Sequence, residues 1–276
     1  MSVGQLRGEM RATVETSWRN SPPIVTHARP AGDARSVRIR AVTYNTYFLP
    51  RLRAMRDMIA SLDADIVCLQ EVLLSARRRE PTNQAEWLAG ELGYHYASNP
   101  NWRRARGIGG DAILTRSPLA DVDVLTDPYG DRFALTATLE FGGVRLALVG
   151  AHFLPVPKPL PVGVLRSMAR RTAQMRQVLG WVRNAALPCV LAGDFNALPY
   201  TPEYWTLARG LVDCTRAVAM NHRNTRPTLG LPVQLDYIFT TRHFRTRACH
   251  TVNADYSDHR PVVADLEIGR DSWPPL

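Results

Sequence analysis

Lysine is almost missing from this 276-residue chain: of its 34 basic residues, only Lys158 is not an arginine. The formal net charge is still +9. A positive field draws anionic partners, and the planar guanidinium fork suits bidentate contact with phosphate. A compositional bias that exchanges lysine for arginine everywhere produces the same count. Charge alone therefore does not choose between nucleic acid, a lipid head group and a small phosphoester.

Cysteine is sparse too. Cys68, Cys189, Cys214 and Cys249 stand far apart with no C-x-x-C spacing, a pattern that suits neither a zinc site nor a disulfide-dense scaffold and agrees with a reducing, cytoplasmic setting. No apolar run approaches the roughly 18 to 20 residues that a membrane-spanning helix requires. Residues 1–36 lack the continuous apolar core of a secretory leader. They read as a polar, arginine-dotted arm, loosely ordered and solvated, with contact to phosphate or an anionic surface as the other reading. There is no G-x-x-x-x-G-K phosphate loop, no internal repeat and no serine or cysteine nucleophile motif. Nothing in the sequence bears on oligomeric state.

What is present is an ordinary globular composition, 45% hydrophobic, in a chain long enough for one large core. One domain is expected over residues 37–268, followed by a short tail over 269–276. VRIRAVTYN alternates and then turns apolar, as a strand entering a sheet does. Leu52, Met55, Ile59 and Leu62 mark one face of a helix, and DIVCLQEV reads as a strand ending on Glu71. QAEWLAGEL suggests a second helix. Arg103, Arg104 and Arg106 beside Trp102 precede the strand GIGGDAILTR and read either as an exposed loop with incidental charge or as a grip on phosphate, with the indole stacking on a base or packing against a head group. ADVDVLT, RFALTATLEF and VRLALVGAH form a meander turned at Gly142 and Gly143.

The proline-rich LPVPKPLPVG is expected to be an ordered surface loop or lid. A helix follows over 165–184, with Leu165, Met168, Thr172, Met175, Leu179 and Val182 inside. Arg166, Arg170, Arg171, Arg176 and Arg183 fall on its solvated face. Pro188 opens the strand PCVLAGDFN, a helix starts at Thr201, and LDYIFT, RTRACHTV and PVVADLEI close the chain.

LAGDFNALP poses the functional question. A buried strand runs into Asp194 and Asn196, which strand alternation sends to one side while Phe195 faces the other. A turn and a site explain that stretch equally well. Elsewhere, Asn45, Glu71, His152, Asp236, and Asp258 with His259 also stand at the ends of apolar strands. Each alone has a structural explanation, but charged groups converging on one edge of packed sheets repel one another unless a cation, a proton or a substrate compensates. The set suits hydrolysis at phosphorus. Glu71 offers hard oxygen to Mg²⁺ or Mn²⁺. Asp194 would take a proton from water, and Asp236 would hold His259 in one tautomer. Asn45, Asn196 and His152 would donate to phosphoryl oxygens.

TYNTYF, LQEV, GGDAILTR, GAHF, GDFNALP, LDYIF and SDHRPV, in this order, resemble the motif series of the endonuclease/exonuclease/phosphatase superfamily, the DNase I-like hydrolases, over about residues 37–268. The resemblance implies an α/β fold, a four-layer α/β/β/α sandwich of two packed mixed β-sheets flanked by helices, with a divalent-metal site at one end. It further implies Asn45 and Glu71 at the metal with Asp258 nearby, and Asp194 and Asn196 at water and phosphate. Asp236 would pair with His259, and His152 would stand beside the scissile phosphate.

The superfamily spans nucleases, sphingomyelinases, inositol-polyphosphate phosphatases and deadenylases, so substrate is not given by membership. LAGDFN and YSDHRP depart from the inositol phosphatase pattern. Tyr44 stands where abasic-site endonucleases carry tryptophan before the asparagine, while NTYFLP is similar to the sphingomyelinase branch. The expectation is a Mg²⁺-dependent phosphodiesterase acting foremost on nucleic acid. Lipid or small phosphoesters, phosphomonoester hydrolysis and a catalytically inactive phosphate-binding protein are the alternatives. Asp111 departs from the small or neutral residue of many relatives, and reads either as a hydrogen-bond partner for the site or as a turn residue.

Overall fold

The computed structural model describes residues 35–48, 51–76, 83–104, 107–155, 162–220, 224–227, 233–254 and 256–270. The arm before residue 35, the end of the tail, and residues 156–161 of the proline-rich loop lie outside that set. Two six-stranded sheets face each other. The first runs in the order β11 (Phe244–Thr251), β12 (Val262–Gly269), β1 (Ser36–Asn45), β2 (Ile66–Ala76), β4 (Gly107–Thr115), β3 (His95–Arg104). The second runs β5 (Leu119–Thr126), β6 (Arg132–Phe141), β7 (Val144–His152), β8 (Cys189–Asp194), β10 (Asp236–Thr240), β9 (Val212–Asp213).

β1 and β2 are parallel, as are β7 and β8, so both sheets are mixed. Parallel neighbours need a crossover. α1 (Leu52–Leu62) supplies it in the first sheet and α3 (Val162–Ala185) in the second. α1 and α2 (Gln84–Leu92) cover the outer face of the first sheet, and α3 and α4 (Pro202–Ala208) that of the second. The result is the four-layer sandwich expected.

Alternation of side chains assigns each strand position to a layer. Ile39, Ala41, Cys68, Ile113, Leu148, Val190 and Ile238 meet between the sheets. Their neighbours Val42, Tyr44, Val67 and Leu69 pack under α1 and α2, and Val149, Leu191, Tyr237 and Phe239 pack under α3 and α4. Counting in twos from the central set puts Asn45, Asp111, His152, Asp194 and Asp236 on the inner faces. All of them gather at one end of the sandwich.

Several expectations are revised. β2 does not end at Glu71 but runs on to Ala76, with Gln70 and Glu71 together opposite Asp111 of β4. β3 exists where the residues around Trp102 were expected to form a loop: it is an edge of its sheet and carries a bulge between Pro100 and Trp102, where a missing donor is tolerated. In α3 the buried stripe is displaced at the N-terminal half. Leu165 is 73% exposed, whereas Arg171 is 2% exposed and paired with the equally buried Glu203 of α4. A short β9 and the single-turn α5 (Cys214–Ala217) gave no periodic signal.

Candidate active site

β7, β8 and β10 set His152, Asp194 and Asp236 in one cross-strand row. The row closes tightly because Gly193 precedes Asp194: a Cβ there would lie 1.8 Å from the Ala151 carbonyl oxygen. Asp194 is the hub. Its Oδ1 accepts the Asn196 backbone N–H at 2.9 Å and its Oδ2 accepts Asn45 Nδ2 at 3.0 Å. Around the same Oδ2 stand two imidazoles, His259 Nε2 at 3.8 Å and His152 Nε2 at 3.9 Å.

Each ring is held from behind by a carboxylate. Asp236 Oδ2 lies 2.8 Å from His259 Nδ1, and Asp111 Oδ1 lies 3.2 Å from His152 Nδ1. Asp111 in turn accepts Asn101 Nδ2 at 2.6 Å on its other oxygen. His259 comes from the segment before β12 and is fixed by Ser257, whose hydroxyl donates to the Asn45 carbonyl and accepts the His259 N–H. Thr225 does the same for β10, accepting the N–H groups of Leu235 and Asp236 on its hydroxyl oxygen.

Glu71 reaches the site by breaking the alternation. Gln70 takes the inner position after Cys68 and accepts a hydrogen bond from the Thr43 hydroxyl at 3.2 Å, so the next residue would face α1 in a regular strand. The bulge opposite Asp111 and a left-handed φ of 57° at Glu71 turn its side chain inward. There Asn45 Nδ2 donates to Glu71 Oε1 at 3.3 Å, bridging it to Asp194.

Asn196 also arrives by another route than alternation. β8 ends at Asp194, and Asn196, with φ 49°, sits in the turn closed by its N–H on Asp194. Its Nδ2 donates to the Phe153 carbonyl at 3.1 Å, beside His152. Turn and site are therefore one structure. Asp258 stands apart from this cluster: it is 38% exposed at its side chain, and its Oδ2 accepts Arg226 at 3.1 Å.

Burial opposes charge on His152, but Asp111, Asp194 and Glu71 outweigh it and lift the ring to about 10. His259 is lifted to about 9, with burial outweighed by Asp236, Asp194 and Asp258. Glu71 is pushed up, first by burial and further by Asp194 and Asp258, against the pull of His152. In the His259–Asp236 pair the proton belongs to the imidazole, because Asp194 and Asp258 also favour its charge. Four carboxyl groups, those of Glu71, Asp111, Asp194 and Asp236, face two imidazoles, an acidic excess that a divalent cation would offset. Glu71 and Asn45 provide the hard oxygen such an ion prefers, with Asp258 at the margin, and Asp194, Asp236 and His259 have ligand atoms within 4.8 Å of one another.

Because both histidines are lifted above their ordinary value, the folded protein holds more protons than the unfolded chain between roughly pH 6.5 and the folded values. In EDTA, thermal stability is expected to be full below that window and to fall as pH rises through about 9 and about 10. Asp111→Asn is expected to flatten the His152 share of the slope, read as melting temperature against pH. An unchanged slope would remove Asp111 as the source of the His152 charge.

Asp111 thus takes the hydrogen-bonding role, and its place two residues before Ile113 was the available signal. Asn101, Ser257 and Thr225 were not anticipated: Asn101 lies on the strand that was read as a loop, and the hydroxyls carry no sequence pattern of their own.

A sequence profile described as the endonuclease/exonuclease/phosphatase family matches residues 42–259. The chain is similar to the uncharacterized protein YbhP of Escherichia coli (strain K12), 26% identical over 246 residues that cover 80% of this chain and 89% of that protein. Among solved structures, an endonuclease/exonuclease/phosphatase from Beutenbergia cavernae DSM 12333 overlays with a TM-score of 0.68 at 23% identity, covering 84% of this chain and 72% of the other. One from Bacteroides vulgatus gives 0.68 at 19% identity, covering 84% and 99%. At these identities the likeness is one of fold, the two packed mixed sheets with flanking helices. Among the described residues, no helix is long and apolar enough to cross a membrane.

Proposed function

The chain belongs to the endonuclease/exonuclease/phosphatase family, and from that premise we propose that it is a divalent-metal-dependent phosphodiesterase with nucleic acid as its foremost substrate. The observation that carries the reading is the surround of Asp194: one carboxylate oxygen facing two imidazole Nε2 atoms at 3.8 and 3.9 Å, each ring backed by its own aspartate. Those gaps are wider than a hydrogen bond, so the three groups are spaced around a volume rather than bonded to one another.

In this reading Asp194 orients the attacking water and receives its proton as the new P–O bond forms. Asn45 and the Asn196 N–H hold the carboxylate in place. His152 and His259, charged at neutral pH, donate to phosphoryl oxygens and offset the charge that builds as the ester oxygen departs. Asp111 and Asp236 fix both rings with Nε2 forward. Glu71 and Asn45, with Asp258 nearby, would hold Mg²⁺ or Mn²⁺, which supplies Lewis-acid polarisation at a phosphoryl oxygen and at the leaving oxygen.

The test is nicking of supercoiled plasmid by the wild-type protein in Mg²⁺ and in EDTA. Cutting in Mg²⁺ alone is expected. No cutting would move the search to lipid and small phosphoesters. Glu71→Gln is expected to raise the Mg²⁺ concentration for half-maximal rate by roughly 10- to 100-fold, the range seen when support to a metal is lost. An unchanged Mg²⁺ titration would place the ion away from Glu71.

A further inference from the structure

We propose that Tyr47, braced by Phe48 and Trp102, is a stacking platform for a nucleobase beside the scissile phosphate, an inference that rests on the phosphodiesterase reading and adds its specificity element. Two bulky aromatic residues in succession adopt left-handed backbone, Tyr47 with φ 44° and Phe48 with φ 63°. Side chains of this size rarely accept that conformation, and strain of this kind persists only where surrounding structure enforces it.

Here the site enforces it. The Tyr47 N–H donates to Asn45 Oδ1 at 3.1 Å and the Phe48 N–H to the Glu71 carbonyl at 2.9 Å. The aromatic turn is therefore tied to the two residues assigned to the metal. A regular continuation of β1 would have carried both rings elsewhere.

The rings form a ledge of graded exposure. Phe48 meets Trp102 edge to face, with centroids 4.6 Å apart at 87°. The indole lies directly on Gly109, where a Cβ would come within 1.7 Å of the ring. That seat exists only because β4 has no side chain there. Tyr47, 5.5 Å from Phe48, is the outermost ring and is 55% exposed.

The other exposed tyrosine close in sequence to a site residue differs. Tyr200 is 58% exposed, but the Arg216 guanidinium already sits 5.1 Å from its ring centroid. A bilayer is entered by an apolar face of several side chains, whereas of the three ledge rings only Tyr47 is exposed, and Phe48 and Trp102 are half-buried. A single presented π-face fits a base, which stacks whatever its identity.

The test uses the full chain in EDTA, so that binding is read without cleavage. Fluorescence anisotropy compares a short labelled single-stranded oligonucleotide with an abasic strand carrying the same number of phosphates. The wild type is expected to prefer the base-bearing strand by roughly 5- to 100-fold, the range for one stacked base. Tyr47→Ala is expected to abolish the preference and Tyr47→Phe to keep it, with melting temperatures of both variants confirming the fold.

No preference in the wild type, or a preference intact in Tyr47→Ala, overturns the proposal. So does a Tyr47→Ala variant that loses binding to sphingomyelin–phosphatidylcholine vesicles while binding both strands as the wild type does. If the preference holds but neither strand is cut on adding Mg²⁺, the platform stands and the phosphodiesterase reading falls.

Discussion

Asp194→Asn is expected to lower turnover by roughly 10²–10⁴-fold, the span for losing a positioned general base, while circular dichroism and melting temperature stay close to the wild type. The substitution keeps the shape of the side chain and an oxygen to accept the Asn196 N–H now bound at 2.9 Å. What goes is the second acceptor oxygen, which faces Asn45, His152 and His259 together. The substitution also removes one acidic group from the cluster, which weakens attraction for a divalent ion, so the rate must be compared at saturating Mg²⁺. A near-wild-type rate under that condition would defeat the assignment of Asp194 as base. A normal rate regained only by raising Mg²⁺ would recast Asp194 as a metal-supporting residue.

Much of this site was legible because strand alternation is a two-residue rule that sequence displays directly. Once Ile39, Leu148, Val190 and Ile238 are recognised as inner residues, Asn45, His152, Asp194 and Asp236 follow by counting. Glu71 was recognisable as a polar residue in an apolar run, but the reason it reaches the site was not, since alternation sends it outward. Only the bulge against Asp111 and its positive φ bring it in, and glutamate has no preference that announces such a backbone. Asn196 was placed near Asp194 for the wrong geometric reason: a turn, not the strand, carries it there. β3 leaves no such trace: it is an edge strand interrupted by Pro100 and a bulge, so neither alternation nor an apolar run marks it. Arg171 was assigned to solvent because its partner, Glu203, lies 32 residues away, and long-range pairing leaves no periodic trace.

That pair leads to the second large effect expected. Arg171 Nη2 donates to Glu203 Oε1 at 2.9 Å with both side chains 2% exposed, yet Arg171 Nε and Glu203 Oε2 have no hydrogen-bond partner among the described residues. Arg171→Met would leave a carboxylate buried and unpaired, at a cost of about 3–5 kcal/mol. In a domain of this size that lowers the melting temperature by roughly 6–20 °C. The double change Arg171→Met with Glu203→Leu removes both desolvated charges and is expected to recover most of the loss, because an incompletely satisfied buried pair contributes little net stability.

Activity is expected not to follow. Arg171 Nη1 also donates to the Leu154 carbonyl at 3.0 Å, while Gln174 Oε1 accepts the Leu154 N–H at 3.1 Å. Together they clamp the chain two residues beyond His152, next to the Phe153 carbonyl that orients Asn196. The double variant should therefore melt near the wild-type temperature and still turn over more slowly. Recovery of both quantities together would confine the pair to stability. Recovery of stability alone would make Arg171 a positioning residue for the His152 side of the site.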